Sequence, residues 1–193
     1  DQALLKGFHR HYGEFLTLCS EEGWSLEYDG PDIGYLSGTI SFLSRLHRHW
    51  KDDTLERVIL KHIDFSKYFL FPNGSFGGSI GSRETCHFYP FGYEYWAEDD
   101  PTAMTMAENA LRFLREGRML TPGTQEDHYV LYRVPEFVEA YKSHSRCQYD
   151  IGPLPWEEPD FSRYFPDAGI YITKANGRYG VVNLKRGGVV KCF

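Results

Sequence analysis

Apolar positions in the first half of the chain recur at three- and four-residue intervals, the period of a helix with one buried face. Leu4, Leu5, Phe8, Tyr12, Phe15, Leu16 and Cys19 predict a helix from about Asp1 to Cys19, broken at Glu22-Gly23. Trp24 to Asp32 reads as a loop rich in turn formers. Tyr35, Leu36, Ile40, Leu43 and Leu46 predict a second helix over Ile33–His49. Asp52-Asp53 signals the start of a third, since Asp is favoured at caps and in first turns; it carries Leu55, Val58, Ile59, His62, Ile63, Phe65 and Phe69. A fourth helix is expected over Pro101–Glu116, with Pro suited to the first turn, and a fifth over Pro135–Ser143.

Between the third and fourth helices lies a long Gly-rich stretch, Phe71 to Glu94, of a kind that is usually functional inside a compact domain. A shorter loop holds Pro122, Gly123, Asp127 and His128. Gly152 to Pro159 is proline-rich and reads as a linker. Beyond it the period shortens. Ile170–Lys174, Tyr179–Leu184 and Val189–Phe193 read as strands, joined by turns at Asn176-Gly177 and Gly187-Gly188. No strand is expected before the linker. The expected organisation is a helical segment over 1–150, a linker over 151–164 and a β segment over 165–193. Helical hairpins with long, varied loops suit a toroid whose loops build a cleft better than a regular solenoid.

Composition changes this picture in one respect. Aromatics are 17% of residues, with Tyr 14, Phe 14 and Trp 4, which predicts either a ring-packed core or a groove of rings that stack on sugars. A net charge of −6 lacks the basic footprint of a nucleic-acid binder but leaves room for a local Arg/His cluster on an anionic sugar. Cys19, Cys86, Cys147 and Cys192 are widely spaced without a C-x-x-C, so free, mostly buried thiols are expected rather than a zinc ribbon. No H-E-x-x-H, P-loop or Ser nucleophile elbow is present, and neither metal nor cofactor is expected. The longest apolar runs are too short for a membrane span. Asp1 opens directly into a helical pattern and Phe193 closes inside a strand-like run, so the chain reads as part of a larger polypeptide with any signal peptide upstream.

Three segments carry a resemblance: Tyr28-Asp29-Gly30-Pro31-Asp32-Ile33-Gly34-Tyr35, Pro72-Asn73-Gly74-Ser75-Phe76-Gly77-Gly78 with Gly81-Ser82-Arg83, and Phe165-Pro166-Asp167-Ala168-Gly169-Ile170-Tyr171. Together they resemble the heparinase II/III-like proteins. That resemblance implies a fold that is mainly α with a C-terminal β meander, part of an (α/α) toroid followed by the start of an antiparallel β-sandwich. It also implies a polysaccharide lyase acting on uronic-acid polymers. The Asn-His pair often carried by such lyases has no counterpart here; the nearest polar cluster is Arg83-Glu84-Thr85-Cys86-His87.

A lyase must neutralise the uronate carboxylate, remove the proton α to it and protonate the leaving oxygen. Arg or Asn can hold the carboxylate, and Tyr or His can move the protons. Arg83, His87, Tyr89 and Tyr93 are therefore the candidate catalytic residues, with Tyr28, Asp32, Tyr35, Asn73 and Glu94 as candidate substrate-binding residues. Each has a structural alternative. Arg83 could pair with Glu84 or Glu94, His87 could be a hydrogen-bonded semi-buried histidine, and Asp-Gly-Pro-Asp is also turn and cap chemistry. Two further readings stay open: a glycoside hydrolase of the toroid type using paired carboxylates, and a non-catalytic glycan-binding relative. The two loops, Tyr28–Tyr35 and Phe71–Glu94, are expected to meet at one end of the helical layer.

Overall fold

Four aspartates each close a helix N-terminus by accepting a backbone N–H: Asp1 from Ala3, Asp32 from Tyr35, Asp52 from Leu55 and Asp100 from Ala103. Such caps contribute about 1 kcal/mol each, and they set where these helices begin. The computed structural model describes residues 1–124, 127–144 and 151–193. Its helices are α1 (Gln2–Leu16), α2 (Ile33–His49), α3 (Asp53–Ser66), α4 (Phe91–Trp96), α5 (Pro101–Arg115) and α6 (Asp127–Ser143). A C-terminal antiparallel sheet follows in the order β3-β4-β5-β6, made of Phe161–Phe165, Ile170–Ala175, Arg178–Asn183 and Val189–Cys192.

Several elements depart from the sequence expectation. The first helix is capped by Asp1 and stops at Leu16, because Cys19–Ser20 (β1) turns back to pair with Trp24–Ser25 (β2), a short hairpin where no strand was expected. Glu22 in its turn accepts from the Asp167 and Ala168 amides, at 2.7 and 2.8 Å, fastening the hairpin to the β3–β4 turn. Phe91–Trp96 is a helix at the end of the Gly-rich stretch. The last helix starts at Asp127, not at Pro135, which lies inside it. Proline there leaves the carbonyl one turn earlier without its donor, and that carbonyl belongs to Leu131, a residue 76% exposed. The sheet has four strands rather than three, since Phe161–Phe165 pairs along the whole of Ile170–Lys174.

One hydrophobic core runs from Trp24 through Ile33, Ile59, Phe65 and Phe88 to Ile172 and Val181. α2 packs against α3 and α4, and α4 against α5 and α6. The proline-rich stretch lies against this core. Leu154 is fully buried, and the Trp156 indole donates to the Leu70 carbonyl at 3.0 Å. Many of the aromatics serve here, including Phe65, Phe69, Phe71, Phe76, Phe88, Phe91 and Tyr93. Among the described residues no helix is long and apolar enough to cross a membrane. Cys19 and Cys86 are half-buried and Cys192 is exposed, all three free; Cys147 lies outside the described residues.

Candidate functional site

Three loops converge at the N-terminal end of α2. The chain enters that helix through a tight turn in which the Glu27 N–H donates to the Gly30 carbonyl at 3.0 Å. Tyr28 occupies this turn at φ 62, a left-handed conformation that a bulky side chain rarely adopts and that costs on the order of 1–3 kcal/mol. Arg186, from the β5–β6 turn, holds it in place. Its guanidinium grips both Asp29 carboxylate oxygens, at 2.9 and 2.5 Å, and donates to the Ser82 carbonyl at 2.5 Å. Ser82 in turn donates its N–H to the Pro31 carbonyl at 2.7 Å. The loops Tyr28–Tyr35 and Phe71–Glu94 therefore meet, as expected.

Their approach is close enough to dictate residue type. A Cβ on Gly34 would lie 2.4 Å from Thr85 Cγ2 and 2.7 Å from the Thr85 carbonyl oxygen. Gly77, at φ 64, would place one 2.8 Å from the same carbonyl. Side chains larger than hydrogen at either position would push the loops apart.

Arg83 is exposed on this platform. Its Nη1 donates to the Tyr28 hydroxyl at 2.6 Å, and its guanidinium stacks 4.9 Å from the centre of the Tyr28 ring. Among the described residues no carboxylate forms an ion pair with it, so neither Glu84 nor Glu94 ties it down. Tyr35, in the first turn of α2, lies near Arg83, Asp32, Tyr28 and Tyr129, and burial raises its phenol above the ordinary range. It joins the Arg83 half of the cluster to a second half built by His87, Tyr89, Tyr129 and Arg133.

In that second half the Tyr89 ring packs on Gly38 of α2 and sits 6.3 Å from the ring of Phe42, itself 63% exposed. Burial holds the Tyr89 phenol above its ordinary range, while the Arg133 guanidinium, 5.0 Å from the ring centre, draws it down. His87 is half-buried. Its Nδ1 lies 3.1 Å from Arg133 Nη1 and its ring 4.8 Å from that of Tyr129. Burial first, and Arg133 second, hold the imidazole below the usual histidine range.

The remaining candidates fall elsewhere. Asp32 is buried and occupied: one carboxylate oxygen caps α2 at Tyr35 and the other accepts from Thr85 Oγ1 at 2.8 Å. It shapes the site without facing solvent. Tyr93 is fully buried, with its hydroxyl on Ser66 Oγ at 3.0 Å, so it belongs to the core and not to a cleft. Asn73 is spent on its own turn, its side-chain oxygen accepting from the Ser75 amide and hydroxyl. Glu94 points away, into a separate cleft of about 290 Å³ among α4, α5 and α6, where it bonds His144 Nδ1 at 3.0 Å.

Arg133 and Arg186 escaped the sequence reading as members of this site. One signal was available for Arg133. Tyr129, Arg133, Glu136 and Ala140 share a helical face, and a charged pair on the face that also carries apolar residues is a warning of buried polar contacts. Nothing near Arg186 in the sequence points to Asp29, 157 residues away. Among the described residues no group of three or more His, Cys, Asp or Glu side chains gathers as a metal site. Comparison with protein-family models, with curated proteins and with solved structures finds no match.

Proposed function

We propose that this platform binds an acidic, uronic-acid-containing polysaccharide and that the chain acts on it as a carbohydrate-active protein of the lyase type. The observation that carries this reading is Arg83: an exposed guanidinium, without a carboxylate partner among the described residues, oriented by the hydroxyl and ring of Tyr28. A planar fork held in this way suits bidentate recognition of a carboxylate. Exposed rings, Tyr28 against Arg83 and Phe42 next to Tyr89, offer flat apolar faces to pyranose rings, with Tyr35 between the two halves. The helical layer is, on the same reading, a part of an (α/α) toroid and the sheet the start of a β-sandwich, which accords with loops gathered at one end.

In β-elimination Arg83 would neutralise the uronate carboxylate, stabilising the charge that develops on it. Tyr89 is the proton-transfer residue. As a phenol, the form that burial favours, it can protonate the leaving oxygen; as a phenolate, whose burial cost the Arg133 charge over its ring offsets in part, it can accept the proton α to the carboxylate. Incubation with uronic-acid polymers tests the reaction. The expected result is an unsaturated uronate at the new non-reducing end, detected by its ultraviolet absorbance and abolished by Tyr89→Phe. New reducing ends without that absorbance would instead indicate hydrolysis, and binding without either product a non-catalytic glycan receptor.

A further inference from the structure

Arg133 is fully buried, and its guanidinium touches a carbonyl, two rings and an imidazole. Nη2 donates to the Phe88 carbonyl at 2.6 Å, the carbon centre stands 5.0 Å from the Tyr89 ring and 5.5 Å from the Phe137 ring, and Nη1 reaches His87 Nδ1 at 3.1 Å. We propose that Arg133 is a positioning residue that fixes His87 as a neutral imidazole protonated on Nε2, so that His87 serves the site as a hydrogen-bond donor and not as its base.

Donor counting fixes the tautomer. A guanidinium has five N–H donors and no acceptor, and it does not deprotonate in proteins. At the Arg133–His87 contact Nδ1 must therefore be the acceptor. A neutral imidazole carries a single proton, which is then on Nε2. Placing the proton on Nδ1 would set two donors against each other at a buried contact. Adding a second proton would do the same and bring two cations together. Arg133 and Tyr129, both from α6, lie against the ring; from α2, Ser37 donates its hydroxyl to the His87 carbonyl at 3.2 Å. The lone pair that a base would need is already engaged by Arg133. The depressed protonation of His87 agrees with this arrangement.

The functional meaning rests on the acidic-glycan reading above. There, a neutral Nε2–H donor joins Arg83 on the carboxylate or oxyanion side, and proton abstraction falls to Tyr89. Glycan binding should then stay flat as pH rises through the ordinary histidine range. A cationic His87 clamp would make it fall.

The tautomer itself is measurable without any glycan. Long-range proton–nitrogen correlation spectra of the full chain at neutral pH, with His87 assigned by the peak lost in His87→Gln, should show an unprotonated Nδ1 and a protonated Nε2. Arg133→Met should shift His87 toward the mixed tautomers of an ordinary histidine and raise its midpoint; Arg133→Lys, which restores a donor, should bring part of the preference back. A wild-type His87 protonated on Nδ1, or charged at neutral pH, overturns the proposal, and so does a folded Arg133→Met variant with the tautomer unchanged. Should Arg133→Met fail to fold, the wild-type spectrum decides alone. Failure of the glycan reading would leave these spectra unchanged, so the two can fail separately.

Discussion

Glu136→Ala is expected to destabilise the protein by about 3–5 kcal/mol, the cost of breaking a buried charge network by removing one partner. The Glu136 carboxylate is 98% buried, with 2% of the side chain exposed. One oxygen accepts from Ser41 Oγ at 2.5 Å and from the Phe91 N–H at 3.1 Å; the other is bonded by the Arg45 guanidinium. A single side chain on α6 thus ties α2 to the first residue of α4. Truncation leaves the Phe91 amide without its acceptor and the Ser41 hydroxyl with only its longer contact to the Tyr89 carbonyl, 3.3 Å, and of the two carboxylates on Arg45 it leaves Glu139, at 2.5 Å. Glu136→Gln keeps an acceptor for the amide and should lose roughly half as much. Urea denaturation followed by circular dichroism measures both, and an alanine variant within about 0.5 kcal/mol of the parent would show that the network contributes little.

The second large effect is one of pH. His62 is fully buried on the core face of α3, among the described residues neither ring nitrogen makes a well-formed hydrogen bond, and the Val58 carbonyl offers only weak support. Burial lowers its midpoint from 6.5 to about 4. Between those values the unfolded chain binds a proton that the folded chain refuses. Stability is therefore fully present above about pH 6.5 and is lost as pH falls toward 4. At about 1.4 kcal/mol per pH unit, the loss across that window approaches ~3 kcal/mol. Asp32 and Glu94, whose carboxyls burial pushes up, act in the opposite sense, favouring the folded chain as pH falls. The difference between the parent and His62→Leu isolates the histidine. The leucine variant should show a shallower fall in stability from pH 6.5 to 4, and identical slopes would remove His62 from the account.

Both effects rest on contacts that residue patterns reveal only in part. Short-range signals were legible. The boundaries of α2 follow from Asp32 and the spacing of Leu36, Ile40 and Leu43, and the β4–β5 hairpin follows from Asn176-Gly177. The meeting of the two loops followed from their composition and their positions between helices. What periodicity missed was polar and long-range. Arg133 and Glu136 occupy an inward helix face where the pattern expects apolar residues, and Pro135 beside them disguises the helix as two segments. β3 was hidden by the prolines before it and by its lack of alternation, with Ser162, Arg163 and Tyr164 all exposed between Phe161 and the buried Phe165. Tyr93 and Glu94 were chosen from the same loop as Arg83, but the short helix α4 turns them into the core and into the α5–α6 cleft.

The central claim is that the Tyr28–Arg83 platform recognises the carboxylate of an acidic glycan. Titration of a uronic-acid oligosaccharide, and of the same oligosaccharide with its carboxyl groups reduced to alcohols, tests it most directly when followed by calorimetry and by amide shifts. The account predicts that the acidic form binds and shifts residues around Tyr28, Tyr35 and His87, and that the reduced form binds far more weakly. Arg83→Ala should weaken the acidic form about tenfold, a loss of roughly 1.4 kcal/mol, with the fold unchanged. Equal binding of the two oligosaccharides, undiminished affinity in Arg83→Ala, or shifts confined to the Glu94–His144 cleft would contradict it.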